Sequence, residues 1–285
     1  MTATLTPTPI APAAVRQPAR SGGVRILLAD SLVFAKRNLE HIRQIPEKLL
    51  DVTVQPLMFT LLFAFVFGGA IDVGGSYREY LVGGILVQSI VFGMMGPGTS
   101  IATDMQEGVV DRFRSLPSSR AAYLIGHTIA ELGGLTMAIG ILLGSGYLVG
   151  WRTHTDVLSF VEVVVLMIVF ATAMIWIGTF LGLIVRSPDA VMGIGFTVVF
   201  PLTFMSSAFV PIASMPNWLQ YVASWNPVSS LVAAVRTLFG NPLAPVSKHI
   251  WPLEHPVAMA WIYTAAVLVI AVPLALRRYR VRTTD

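Results

Sequence analysis

Apolar runs long enough to cross a bilayer alternate with short charged stretches along most of the chain. Residues 80–103 hold 24 positions without a charge, 132–151 hold 20, and 190–235 hold 46. About 20 apolar residues in a helix span the ~30 Å hydrocarbon core of a membrane. The alternation predicts six spans: 52–69, 80–103, a third from just past Arg120 to near Gly150, 163–185, a fifth from Ala190 to near Val210, and 256–276. The expected fold class is all-α: a polytopic membrane protein with a transmembrane domain over 51–276 and a basic tail over 277–285.

Three stretches depart from simple span and loop. Residues 1–23 are rich in Pro, Ala, Thr and Ser, a composition that cannot bury a core and predicts a disordered tail. Residues 24–50 set Val24, Leu28, Leu32, Ala35, Leu39 and Ile42 at helical spacing, with Lys36, Arg37, Glu40, Arg43 and Lys48 on the other side. This predicts an amphipathic helix lying in the membrane interface, broken near Pro46. The uncharged run 190–235 carries Pro201, Pro211, Pro216 and Pro227, more than one helix can absorb. It predicts a span followed by two short helices joined at Asn226-Pro227, re-entrant or interfacial, with Trp218, Tyr221 and Trp225 as belt aromatics.

The longest charged interruption between two long runs is 104–124. Asp104 is expected to cap a helix start there, with Gln106 and Glu107 in its first turn. Val109, Phe113 and Leu116 then form one apolar stripe, and Pro117 stops the helix. Phe113 either meets a partner, dips into the membrane edge, or packs on the chain's own amphipathic helix.

Composition adds orientation and exclusions. Only 12% of residues are charged and 55% are hydrophobic, where soluble domains carry about 25% charged residues. There is no cysteine, hence no disulfide and no thiol chemistry. Of the 19 Lys and Arg, a topology with both ends cytoplasmic leaves only Arg78, Arg152, Arg236 and Lys248 outside. That follows the positive-inside rule and puts 104–124 in the cytoplasm and 213–255 outside. No phosphate-binding G-x-x-x-x-G-K-[ST] run and no H-E-x-x-H occurs, so the chain carries no P-loop and no metalloprotease motif. His249 and His255, and His154 between two threonines, read as loop residues, and no metal site is expected. His127 and Glu131 are four apart on one face of the third span. An intramembrane carboxylate marks a functional site, unless this helix simply protrudes past the bilayer. Glu162 falls at the outer start of the fourth span. Gly178 and Gly182 have the small-x-x-x-small spacing of helix contacts.

Four stretches in this order resemble the ABC-2 type transporter permeases, most closely their daunorubicin-resistance-like branch. They are Glu107-Gly108 with Asp111-Arg112-Phe113-Arg114, Leu116-Pro117 and Arg120; Arg186-Ser187-Pro188-Asp189-Ala190; Phe200-Pro201-Leu202 with Phe209-Val210-Pro211 and Met215-Pro216-Asn217-Trp218; and Asn226-Pro227-Val228-Ser229 with Arg236 and Gly240-Asn241-Pro242. The similarity runs from about residue 25 to the end, and departs at Gly126-His127, where many relatives have Gly-Lys. The resemblance implies a non-catalytic permease subunit in the cell membrane, pairing with a separate ABC ATPase that holds ATP and Mg. It also implies a second permease chain and a coupling role for 104–117, with Glu107, Gly108, Asp111, Arg112, Phe113, Leu116, Pro117 and Arg120 as contacts. No cofactor is expected on this chain and no nucleic-acid partner. The expected cargo is an amphipathic drug-like or lipid-like molecule. A polysaccharide or lipid-linked glycan exporter of the same family, and a proton-coupled transporter using Glu131 and Glu162, remain open alternatives.

Overall fold

The structure is a computed structural model describing residues 54, 57–58, 60–67, 73–108, 120–243 and 250–282. The 1–23 tail, the 24–50 helix and most of the 104–124 stretch lie outside the described residues.

Among the described residues all regular structure is helical. The main helices are α1 (Tyr77–Gly93), α2 (Met95–Gln106), α3 (Arg120–Val149), α4 (Val157–Ile184), α5 (Pro188–Phe204), α6 (Asn217–Trp225), α7 (Pro227–Phe239), the short α8 (Trp251–Glu254) and α9 (Pro256–Arg282). Four stretches are long and apolar enough to cross a membrane: Tyr77–Gln106, Tyr123–Val149, Val157–Ile184 and Pro256–Val281. Helices α5 and α7 are apolar but shorter. Of the expected first span, the described part includes a π-helical turn at Phe63–Phe67, and Phe63 stacks on Phe209 at 4.6 Å.

The expected second span exists but is two helices. The chain breaks at Met94 between α1 and α2. Pro97 does not cause a stop, because it sits in the first turn of α2, where its missing N–H costs no helical bond. The fourth span begins at Val157, earlier than its apolar run. Asp156 caps it, with Ser159 donating its hydroxyl (2.6 Å) and its backbone N–H (3.4 Å) to the carboxylate. That side-chain bond holds Asp156 below the usual carboxylate range. The fifth helix ends at Phe204 rather than near Val210. The last helix runs on to Arg282, so Arg277, Arg278 and Arg280 stand on a helix and not in a loose tail.

Helix α4 is the hub: it touches α1, α2, α3, α5, α7 and α9. Its contact with α2 runs through glycine. Gly178 and Gly182 of α4 lie so close to the backbone carbonyls of Met94 and Gly98 that a methyl on either would overlap them. A methyl on Gly98 would in turn come within 2.9 Å of the Gly178 carbonyl oxygen. Small residues permit such backbone approach, and in lipid it replaces the hydrophobic drive of a soluble core. The main core gathers Leu81, Ile85 and Leu86 of α1, Leu166 and Ile175 of α4, and Val232, Val235 and Phe239 of α7.

Candidate functional site

Polar side chains inside the bundle collect in three places.

The first lies where α5 gives out. Residues 205–211 leave several carbonyls without helical partners, a costly state in a membrane interior. Side chains from α1 and α7 supply the donors. Arg236 of α7, 2% exposed, donates from Nη1 to Ser207 O (2.9 Å), from Nη2 to Ala208 O (2.9 Å) and from Nε to Tyr80 O (2.8 Å). Its guanidinium also lies 3.3 Å from the Tyr80 ring centroid. The Tyr80 hydroxyl donates to Ser207 O (2.9 Å) and the Tyr77 hydroxyl to Phe209 O (3.2 Å). Asn226, between α6 and α7, donates to Leu202 O (2.7 Å) and Met205 O (3.2 Å), while its oxygen caps Val228 N of α7. Pro227 takes the first position of α7, where proline is best tolerated. The sequence marks Asn226, Pro227 and Arg236 as an outer region. Asn226 and Arg236 are hydrogen-bond partners of the end of α5 and of the segment after it, and Pro227 starts the helix that carries Arg236. Tyr77 and Tyr80 are missed by sequence reading, although their spacing of three on one apolar helix is a visible signal. Trp218 is 66% exposed, on the opposite side of α6 from the buried Gln220 and Ser224.

The second place is one end of the bundle. The Tyr123 hydroxyl donates to the Asp104 carboxylate, and Gln106 Nε2 donates to Arg186 O (2.9 Å). Tyr123 stacks on Tyr279 of α9 at 6.1 Å. Segments 104–106, 120–123, 185–187 and 277–282 thus converge, the set that charge counting puts on one side. The opposite end joins the other set: His154 pairs with Glu79 (2.9 Å), His154 N donates to Phe239 O, and Trp151 Nε1 donates to Asn241 Oδ1 (2.7 Å). The expected helix start at Asp104 is corrected here. Asp104 and Gln106 form the last turn of α2, and Gly108, at φ +65°, ends it in the left-handed conformation that glycine adopts freely. Glu107 is exposed beside it. Asp111, Arg112, Phe113, Leu116 and Pro117 lie outside the described residues, and Arg120 opens α3.

The third place is α3. His127 is buried (1%) and stacks on Tyr123 at 6.4 Å. Glu131 is partly buried, and its carboxylate lies against Gly96 of α2. Glu162 is partly buried in the second turn of α4, at the end of the bundle opposite Asp104 and apart from Glu131. Among the described residues no group of three metal-ligating side chains occurs.

The ABC-2 type transporter family matches residues 31–239, which takes in the first and third places and all of the second except its α9 segment. The chain belongs to the ABC-2 type transporter family. It is 31% identical over 265 residues to the daunorubicin resistance ABC transporter permease protein DrrB1 of Streptomyces coeruleorubidus, covering 93% of this chain and 89% of that one. It is 26% identical over 204 residues to the doxorubicin resistance ABC transporter permease protein DrrB of Mycobacterium tuberculosis, covering 72% and 70%. It is 24% identical over 282 residues to the probable doxorubicin resistance ABC transporter permease protein DrrC of the same organism, covering 95% and 96%. A multi-pass membrane permease with an all-helical bundle follows from the family and the apolar helices together.

Proposed function

We propose that this chain is the membrane subunit of an ATP-driven exporter, carrying amphipathic drug-like or lipid-like molecules outward across the cell membrane. The observation that carries the reading is the end-to-end likeness to a drug-resistance permease in a chain without a phosphate-binding loop. ATP and Mg belong to a separate ATPase. Six spans cross the membrane, α5 and the stretch 52–69 completing the four long ones, with α6 and α7 returning into the outer leaflet. Both termini are cytoplasmic. A second permease chain completes the transporter. The long, mostly uncovered α3 and α9 suit lipid or that second copy.

Coupling runs through 104–117. Closure of the ATPases presses on the segment after Gly108, and α2 and α3 receive the movement directly. The Asp104–Tyr123 bond and the Tyr123–Tyr279 stack carry it to α9. Phe113 is the apolar anchor of this contact, with Glu107, Asp111 and Arg112 as its polar rim. Truncating a buried aromatic anchor costs about 2 kcal/mol or more of binding. Phe113→Ala is therefore expected to insert normally, to release most of its ATPase on co-purification, and to lose substrate-stimulated ATP hydrolysis. Retention of the ATPase at wild-type level would remove 104–117 as the coupling element.

Sidedness is tested separately in this cysteine-free chain. Ser247→Cys is expected to react with a membrane-impermeant maleimide on intact cells, and Ser118→Cys only after permeabilisation. The opposite pattern reverses the orientation.

A further inference from the structure

Glu131 stands where an apolar residue belongs. On α3 it shares a stripe with Leu124, His127, Leu135, Ala138 and Leu142, all buried against the rest of the bundle. Residues four apart stack on one helical face, so Glu131 is central to that stripe. It is nevertheless only partly buried. The reason is across the gap: Gly96 of α2 faces it, exposed, and offers no side chain to close the space. A methyl at Gly96 would have the Glu131 carboxylate oxygen as its one near neighbour, at 3.8 Å. Two helices thus leave a notch with a carboxylate on one wall.

The notch is deep. Gly96 precedes the end of α2 at Gln106 by about 15 Å of helical rise, and Glu131 follows Tyr123 by about 12 Å. Tyr123 and Asp104 meet at that same end, so both counts set Glu131 well inside the span. No hydrogen bond or ion pair to Glu131 exists among the described residues. An intramembrane carboxylate without a partner is expensive.

A polar lane leads to it. Gly96, Thr99, Ser100 and Thr103 lie on one side of α2 by helical spacing, and each is exposed or partly exposed. Glu107, also exposed, follows Thr103 by one turn at the end of the helix. The other side of α2, with Gly98, Ile101 and Ala102, is buried. The hydroxyls of Thr99 and Thr103 donate back to Gly96 O and Thr99 O at 2.9 Å. Their oxygen lone pairs remain as acceptors. A span face that presents hydroxyls and ends at a carboxylate offers acceptors throughout.

We propose that the notch between α2 and α3 binds the ammonium group of an amphipathic cation, with Glu131 as its counter-ion and the Thr99–Thr103 face as its route from the Asp104 end. The proposal rests on the exporter reading and narrows its cargo to molecules with an organic ammonium and an apolar body. The three N–H groups of a primary ammonium suit one carboxylate and adjacent hydroxyls.

The test is equilibrium binding to the purified permease in lipid nanodiscs. The probes are dansylcadaverine, which carries a primary ammonium, and its N-acetyl derivative, which is neutral and otherwise alike. Wild type is expected to bind the ammonium form about tenfold or more tightly than the acetylated form, the scale of one charge-assisted hydrogen bond. Glu131→Gln is expected to bring the two within about twofold by weakening only the ammonium form. Glu131→Asp should keep part of the preference. Gly96→Leu fills the notch at an exposed position and should weaken both probes. Equal binding of the two probes by wild type, an unchanged preference in Glu131→Gln, or no saturable binding of the ammonium form would each overturn the proposal. If Glu131→Gln fails to give a monodisperse protein, Glu131→Asp and Gly96→Leu decide alone: full retention of affinity in both overturns it. The measurement needs no ATPase. Loss of this proposal with substrate-stimulated ATP hydrolysis intact would leave the exporter reading standing.

Discussion

Replacement of Arg236 by methionine is expected to prevent accumulation of a stable permease. The side chain is fully enclosed and its guanidinium is satisfied by three backbone carbonyls, those of Tyr80, Ser207 and Ala208. Methionine matches the stem but donates nothing. Ala208 O then loses the donor that the structure gives it, and Ser207 O keeps only the Tyr80 hydroxyl. Each buried acceptor left unsatisfied costs about 1–3 kcal/mol. Against a folding stability of about 5–15 kcal/mol, the loss is severe. Arg236→Lys is expected to fall between, since an ammonium is a point donor and cannot fork across three carbonyls. The control is Arg152→Gln. Arg152 also donates to backbone carbonyls, those of Tyr147 and Trp151, but in the open, where such contacts contribute about 0–1 kcal/mol. Thermal unfolding of the detergent-solubilised proteins, followed by loss of the monodisperse peak on size exclusion, should rank wild type and Arg152→Gln together, then Arg236→Lys, then Arg236→Met. Equal stability of Arg236→Met and wild type would mean that the carbonyls of 207 and 208 find other donors.

The same residue shows what the sequence tells and what it hides. Arg236 is visible as a lone cation after 46 uncharged positions, and counting charges assigns it to the outer side. Burial follows only when three distant segments meet, because its partners are main-chain carbonyls that carry no sequence signal. The long spans are legible because a bilayer demands about 20 apolar residues of any helix that crosses it. Their ends are less so. Asp156 starts α4 before the hydropathy rises, since a capping side chain and not apolarity sets that boundary. Asp104 reads as a helix start for the same chemical reason, yet it sits in the last turn of α2. The deciding residue is Gly108, whose left-handed backbone ends the helix just beyond it. The pair at 127 and 131 is legible as a stripe, but the notch is not, because it is made by the missing side chain of Gly96 on another helix.

A large packing effect is expected at Gly178. This residue and Gly182 bring α4 against the break between α1 and α2, so close that the carbonyl of Met94 fills the space a side chain would need. The obstruction is backbone, which cannot swing aside as a flexible side chain can. Gly178→Ala must therefore push α4 away from α2. Over-packing of this kind costs about 1–3 kcal/mol, and Gly178→Val costs more because its branched carbon resists rotation. The displacement reaches further than its site, since α4 also touches α3, α5, α7 and α9. Helix propensity runs the other way: alanine for glycine in a helix interior gains about 1 kcal/mol. Gly140→Ala isolates that term, because nothing lies within 4 Å of the position its methyl would take. Thermal unfolding should therefore place Gly140→Ala at or above wild type and Gly178→Ala below it, with Gly178→Val lowest. Gly182→Ala should fall with Gly178→Ala, and the double variant should lose less than the sum, because one outward shift of α4 relieves both overlaps. Should Gly178→Ala and Gly140→Ala melt together, α2 and α4 do not meet through their backbones.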